Sequence, residues 1–447
     1  MDVTISPGPL AGTAGVPPSK SYTHRAILAA GCGDGGIVEN PLWSADTRAT
    51  AGAVEAFGGA VDRGSDGHLE ATGFDGQPVV PDDVVDCANS GTTMRLVTAI
   101  AGLVDGTTVL TGDASLRSRP QGPLLDALES LGATARSTRG NGQAPLVVDG
   151  PIAGGRVSLP GDVSSQYVSA LLVAGAMTDR GVEIDLETPL KSAPYVAITR
   201  EVLAAFGVET EERSRREPAS DGGPTESASS PSGYHVAGGQ RFELDGRAYA
   251  VPGDFSSLAF LLAAGAIVGD DGLTITGIRE SAQGDRAILD HVERFGAAVD
   301  WDREAGTVAV SSAPLSGITV SVADTPDLLP TLATLGAVAD GETRIVDAEH
   351  VRYKETDRIA AMASELGRLG AKTTEERDEL VVHGGDSTLT GTTVDGHGDH
   401  RIVMALAVAA LAADGDTTIH GAEHVDVSFP DFFETIASLG ARVDRST

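Results

Sequence analysis

Two short runs in this chain are dense in side chains that could do chemistry. The first is Pro18-Ser19-Lys20-Ser21-Tyr22-Thr23-His24-Arg25, and the second is Arg352-Tyr353-Lys354-Glu355-Thr356-Asp357-Arg358. Each contains one of only four lysines among 447 residues. In a sequence that otherwise avoids lysine and favours Asp and Glu, each of these ammonium groups calls for a specific role. Lys20 stands among hydroxyls at a helix-start pattern, where unpaired N–H donors and partial positive charge receive anions. Glu355 lies between Lys354 and Arg358, and a carboxylate between cations suits proton transfer beside bound anions. The two runs are read as parts of one site that grips a pair of anionic reactants. A charge run is ordinarily a solvated helical face. The scarcity of lysine, and further cations at matching repeat positions (Arg119, Arg401), argue against that here.

The elements that must position these groups are visible as a repeat. Six times an amphipathic helical pattern closes on a bulky apolar residue and glycine, at Phe57-Gly58, Leu131-Gly132, Phe206-Gly207, Phe295-Gly296, Leu369-Gly370 and Leu439-Gly440. Glycine just past a helix tolerates the left-handed cap. Four of the five intervals are about 70 to 75 residues, the mark of an internal repeat. The longer interval holds Glu211–Gly239, rich in Ser, Pro, Gly and Glu without apolar periodicity, which reads as an inserted surface loop.

Each repeat carries two helix starts. The first set is Ser19-Lys20-Ser21, Asn89-Ser90-Gly91-Thr92, Ser164-Ser165-Gln166, Asp254-Phe255-Ser256, Asp324-Thr325-Pro326-Asp327 and Gly398-Asp399-His400-Arg401. These place N-cap residue types ahead of apolar helical pattern. The second set follows by about 26 to 29 residues, at Ser44-Ala45-Asp46, Arg119-Pro120, Ser192-Ala193-Pro194, Gln283-Gly284-Asp285, Lys354-Glu355 and Ser428-Phe429-Pro430. Short strands fill the remainder, for example 147–148, 157–159 and 273–275. Converging helix starts would build an anion site. Six repeats divide into two domains of three, with the cleft between them as its expected place.

Composition narrows the function further. A chain of this length exceeds the usual size of one core, so two domains are expected. A formal charge of −32 excludes a generic nucleic-acid or membrane-surface role, which needs a basic face. Aromatic residues at 4% argue against a stacking platform. Acidity spread along the whole chain points to adaptation to high salt, where self-repulsion is screened. Cys32 and Cys87 lack any paired spacing, so neither zinc site nor disulfide framework is expected. No signal peptide is visible at Met1-Asp2-Val3-Thr4, and the longest apolar runs are too short to span a bilayer. A soluble, cytoplasmic protein is expected.

Two tempting motifs are set aside. Gly31-Cys32-Gly33-Asp34-Gly35-Gly36 matches the dinucleotide fingerprint, but it follows a helical pattern and precedes a strand, the reverse of what the fingerprint needs. His397, Asp399, His400, His420 and His424 could hold a metal only with convergent geometry, and a helix start that delivers Arg401 to an anion is the better reading.

With these residues in hand, the chain resembles the 5-enolpyruvylshikimate-3-phosphate synthases, members of the enolpyruvyl transferases, over nearly its full length. The resemblance rests on Ser19-Lys20-Ser21 with Arg25, on Asn89-Ser90-Gly91-Thr92-Thr93-Met94-Arg95, on Arg119-Pro120 and on Ser164-Ser165-Gln166. It continues through Lys354-Glu355-Thr356-Asp357-Arg358, Asp399-His400-Arg401 and Ser428-Phe429-Pro430. It implies an α/β fold of two inside-out, barrel-like domains, each with three βαβαββ-type units. Residues 1–19 with 251–447 would form one domain and 20–250 the other.

The resemblance also implies an activity: transfer of the enolpyruvyl group of phosphoenolpyruvate to the 5-hydroxyl of 3-phosphoshikimate, with release of phosphate. Lys20, Ser21, Arg25, Ser164, Ser165, Gln166, Ser192 and Tyr195 would bind 3-phosphoshikimate, together with Asp327, His350 and Lys354. Lys20, Gly91, Arg119, Gln166, Arg358 and Arg401 would bind phosphoenolpyruvate, where the planar fork of arginine matches carboxylate and phosphate. Glu355 would protonate C3 of phosphoenolpyruvate, and Asp327, with Lys354 beside it, would accept the hydroxyl proton. No metal or organic cofactor, nucleic acid or membrane is implied, and a monomer is expected. His350 stands where the family often has Asn, and Val427 where some members carry Lys.

Two rivals are weighed. The related transferase acting on UDP-N-acetylglucosamine usually carries a reactive cysteine in the region matching Leu116–Gly122, and none is present. A non-catalytic scaffold that binds anions would use the arginines but has no use for Lys354-Glu355 opposite Asp327.

Overall fold

The computed structural model describes residues 1–214 and 231–446. They divide into two compact units, Met1–Ser19 with Pro252–Thr447, and Lys20–Val251. Both are built from the same module. Six four-stranded sheets share one pairing pattern, in which the first two strands are parallel and the third and fourth are added antiparallel. In the clearest case the chain runs Val85–Asp86, helix, Thr107–Thr111, helix, Thr134–Ser137, Leu146–Asp149. A parallel strand pair needs a crossover connection, and in four of the six modules the first helix supplies it.

In the unit Lys20–Val251 the first helices are α1 (Lys20–Cys32), α3 (Gly91–Ala101) and α5 (Ser165–Met177). The second helices are α2 (Ala45–Ala56), α4 (Gly122–Ser130) and α6 (Pro194–Ala205). The other unit has α7 (Phe255–Val268), α9 (Leu329–Val338) and α11 (His400–Leu411) as first helices, and α8 (Ile288–Phe295), α10 (Arg358–Arg368) and α12 (Phe432–Ser438) as second. First helices are buried along nearly their whole length, as Phe255 to Ala266 and His400 to Leu411 illustrate. Second helices bury one stripe, in α8 Ile288, Leu289, Val292 and Phe295. The glycines that close them, Gly58, Gly132, Gly207, Gly296, Gly370 and Gly440, all have positive φ, between 76° and 117°. A side chain there would be strained, which is why the Phe/Leu-Gly signature recurs.

Each unit closes on itself with a borrowed strand. Ala248–Ala250 lies parallel to Gly36–Glu39 and completes the first sheet of its unit. Asp2–Ser6 enters the sheet of Thr417–His420 and Arg442–Ser446, while Leu10–Gly15 lies parallel to Gly269–Thr276.

Two sequence expectations are corrected. Glu211–Gly239 is not a loop throughout: Thr210–Ser214 and Pro231–Val236 are paired antiparallel strands, the latter burying Tyr234 and Val236. Their charged and polar outer face hid the alternation. Residues 215–230 of that expected loop lie outside the described residues. Five helices, α4, α8, α9, α10 and α12, also begin later than their sequence patterns. The chain at Pro326–Leu328 makes a 3-10 turn before α9, and α4 begins at Gly122 rather than at Arg119-Pro120. Lys354 is extended (φ −85°, ψ −151°), and α10 starts only at Arg358, because the Asp357 carboxylate caps the Ala360 N–H. Glu355 therefore sits in a short non-helical stretch ahead of the helix.

Candidate active site

Within the unit Lys20–Val251, the predicted residues gather around the starts of α1, α3, α5 and α6. Lys20 opens α1 and its ammonium meets Asp46 of α2 at 3.1 Å. Arg25, one turn on, is 3% exposed, and its hydrogen bonds among the described residues go to neutral oxygens: Thr199 Oγ1 at 2.7 Å, the Ser21 carbonyl at 2.8 Å and the Tyr195 carbonyl at 3.2 Å. Burial lowers its pKa to about 10, partly offset by nearby tyrosine hydroxyls, so it stays cationic at neutral pH. A buried guanidinium with neutral partners favours the arrival of an anion. Ser192, at φ +58°, turns the chain into α6 ahead of Tyr195.

A second cluster surrounds Gly91, the first residue of α3, which Ser90 caps through the Thr93 N–H at 3.1 Å. A methyl group at Gly91 would lie 3.0 Å from Arg119 Nη1 and 3.1 Å from Arg95 Nη1, so two guanidinium groups face the helix start closely. Arg119 is 6% exposed and donates to Asn89 Oδ1 at 2.7 Å and Ser115 Oγ at 3.2 Å. Arg95 donates to Gln166 Oε1 at 2.6 Å and lies over the Tyr167 ring. Gln166 in turn donates to Thr92 Oγ1 at 2.9 Å, and Ser164 caps α5. Cations over a helix N-terminus, here the buried Arg119 and half-buried Arg95, form a seat for phosphate or carboxylate.

The other unit holds a cluster of opposite balance. Arg358, 1% exposed, donates to three carboxylates: Nη1 to Asp327 at 2.6 Å, Nη2 to Glu355 at 2.9 Å and Nε to Asp399 at 2.8 Å. Burial opposes its charge, but the Asp399, Glu355 and Asp327 carboxylates prevail and hold its pKa well above the usual value. Arg401 reaches the second oxygen of Asp327 at 2.9 Å. Asp327, Glu355, Arg358 and Arg401 are therefore brought together. Lys354 and His350 lie half-buried on the approach to Glu355. Arg352 holds that approach by bonds to Asp357 and Glu375 and to the carbonyls of Glu376 and Arg377.

Several participants carry no site role in the sequence reading. Arg95 lies one turn after Gly91, a spacing that could have flagged it. Asp399 reads as a helix cap, and it is one, accepting from the Arg401 N–H at 2.9 Å while also gripping Arg358. Asp285, 4% exposed, accepts from the Ser256 hydroxyl. Burial, reinforced by the Asp327 charge and opposed by Arg401, raises its pKa to about 7. Among 64 acidic residues, nothing in the sequence marks this one as buried. The histidines around α11 go separate ways: His397 to Glu365 at 3.0 Å, His420 to Asp2 at 2.9 Å, and His424 to the Gly421 carbonyl at 2.8 Å.

No described helix is long and apolar enough to cross a membrane. Comparison with known proteins bears on the site as a whole. Residues 5–436 match the family model described as EPSP synthase (3-phosphoshikimate 1-carboxyvinyltransferase). A 3-phosphoshikimate 1-carboxyvinyltransferase of Halorubrum lacusprofundi is 63% identical over 454 residues, covering 100% of this chain and 99% of its own. One from Halobacterium salinarum is 64% identical over 447 residues, covering 99% and 100%. The solved EPSP synthase of Acinetobacter baumannii superposes with a TM-score of 0.80 at 28% identity, covering 100% of both chains. The relatives at 61–64% identity come from halophilic archaea, in keeping with the dispersed acidity of this chain. The chain belongs to the EPSP synthase (3-phosphoshikimate 1-carboxyvinyltransferase) family.

Proposed function

We propose that this protein transfers the enolpyruvyl group of phosphoenolpyruvate to the 5-hydroxyl of 3-phosphoshikimate and releases phosphate, a step of aromatic amino-acid biosynthesis. Family membership supports the reaction. The single structural observation that carries the site assignment is the cradle at Gly91, where Arg119 and Arg95 close to about the distance of a missing methyl group.

We assign the binding groups accordingly. Arg25, Ser21, Ser164, Ser165, Ser192 and Tyr195 hold 3-phosphoshikimate, with Arg25 supplying a charge that no carboxylate offsets among its described hydrogen bonds. Gly91, Arg119, Gln166 and Lys20 hold the phosphate side of phosphoenolpyruvate. Arg358 and Arg401 take its carboxylate, and His350 and Lys354 border the shikimate ring.

The acid and base share one guanidinium. Arg358 fixes Asp327 through one nitrogen and Glu355 through another. In the forward addition, Glu355 gives a proton to C3 of phosphoenolpyruvate while the 5-hydroxyl oxygen bonds to C2 and passes its proton to Asp327, beside Lys354. The adduct carries a methyl group at C3 and both oxygens at C2. Elimination then returns one C3 proton to Glu355 and breaks the C2–O bond to phosphate, which leaves with the proton held by Asp327, restoring the double bond. Oriented donors and acceptors account for such proton transfers.

On composition, the reading is of a cytoplasmic monomer without nucleic-acid or membrane partner. A phosphate-release assay tests the reaction. Phosphate should appear only when phosphoenolpyruvate and 3-phosphoshikimate are both present; release with either alone, or none with both, would overturn the reading.

A further inference from the structure

A ladder of buried polar groups joins α1, α2 and the first turn of α3. Lys20 and His24 stand four residues apart on α1, and Asp46 and Thr50 four apart on α2, so each pair shares one helical face. The two faces meet in two rungs, Lys20 Nζ to Asp46 Oδ2 at 3.1 Å and His24 Nδ1 to Thr50 Oγ1 at 2.6 Å. From Thr50 the chain of contacts continues to Thr93 Oγ1 at 2.6 Å, and Thr93 donates to Ser90 Oγ at 2.7 Å. Ser90 is the cap of α3, immediately before Gly91. His24, Thr50, Thr93 and Ser90 are each no more than 1% exposed.

The hydrogens along this chain have one consistent direction. Because the Thr93 hydroxyl is spent on Ser90, Thr93 accepts from Thr50, and Thr50 accepts from an Nδ1–H of His24. Nε2 is then the unprotonated nitrogen, and it is buried with no hydrogen-bond partner among the described residues. A buried imidazole nitrogen left in this way is costly, and the alternative apolar side chain would be cheaper for packing alone. The histidine is therefore explained by its described bond to Thr50.

We propose that His24 is a positioning residue: through Thr50 and Thr93 it sets the Lys20 rung and the first turn of α3 in register, so that the Lys20 ammonium and the Gly91 backbone present one phosphate seat. The proposal rests on the assignment of Lys20 and Gly91 to phosphoenolpyruvate.

The test is steady-state kinetics of the full chain with each substrate varied in turn. Thr50→Val removes one hydroxyl at nearly constant shape. It should raise the KM for phosphoenolpyruvate about tenfold, the worth of one buried hydrogen bond, and that for 3-phosphoshikimate far less. His24→Leu should match it, and the double variant should be no worse than either single one, since both break the same chain. Thr50→Ser should restore the wild-type value, and His24→Asn, whose amide can still donate, should fall between. An unchanged KM for phosphoenolpyruvate in Thr50→Val, equal rises for both substrates, or additive effects in the double variant would overturn the proposal. If Thr50→Val does not fold, His24→Asn against His24→Leu decides by the same ratio of KM values. Failure of the wild-type chain to release phosphate from the substrate pair would instead sink the underlying assignment.

Discussion

Arg358 and Asp399 are joined by Nε–Oδ2 at 2.8 Å across 41 residues of sequence, one at the first position of α10 and the other at the cap of α11. Neither is more than 1% exposed. The bond ties together two helix starts, and with them Asp327, Glu355 and Arg401.

Removing Asp399 should therefore be expensive. Asp399→Ala strands part of the Arg358 charge and uncaps α11. We expect a loss of about 3 to 5 kcal/mol, the usual cost of breaking a buried pair, seen as a lower urea midpoint. A midpoint within error of the wild type would show that the pair does not organise this unit.

Gly91→Ala separates fold from function. The methyl group would meet only the ends of the Arg119 and Arg95 side chains, at 3.0 and 3.1 Å, and these can move. Thermal stability should change little, by less than about 1 kcal/mol, while the KM for phosphoenolpyruvate rises about tenfold or more. An equal rise in the KM for 3-phosphoshikimate would contradict the assignment of Gly91.

Asp285 gives a pH signature. Its pKa in the folded protein is about 7, against about 3.9 in an unfolded chain. Between those values the folded state binds the extra proton, so this group's contribution to stability falls as pH rises from about 4 to about 7. Asp285→Asn removes the titration and keeps the shape. The melting temperature of the variant minus that of the wild type should be larger at pH 8 than at pH 5. A difference that does not vary with pH would count against a buried, readily protonated Asp285.

Salt should act on the whole molecule. With a net charge of −32, self-repulsion and repulsion of anionic substrates are both strong when the Debye length is about 10 Å, at 0.1 M, and both are screened at about 3 Å, at 1 M. Melting temperature and kcat/KM should each rise toward molar KCl. Equal values at about 50 mM and about 2 M would argue that the acidity has another origin.

Much of this was legible in the sequence because it is local. The Phe/Leu-Gly closures report backbone needs at single positions, and all six glycines have positive φ. Residues such as Lys20, Gly91 and Arg358 stand at or near helix starts, and the N-cap chemistry that marks such starts is itself a short-range pattern. What could not be read depended on distant partners. The three carboxylates around Arg358 come from Asp327, Glu355 and Asp399, and only Glu355 is its sequence neighbour. The strand Pro231–Val236 reads as loop because its register is set by Val182–Leu186 and not by its own composition. His24 reads as one more helical residue until Thr50 and Thr93 are seen against it.

The account turns on addition of a proton to C3 of phosphoenolpyruvate, followed by removal of one from the methyl group so formed. Running the reaction in deuterium oxide and examining the product by mass spectrometry tests this directly. The account predicts deuterium in the enolpyruvyl methylene of the wild-type product, and loss of turnover with retained substrate binding in Glu355→Gln. A wild-type product free of methylene deuterium would contradict it.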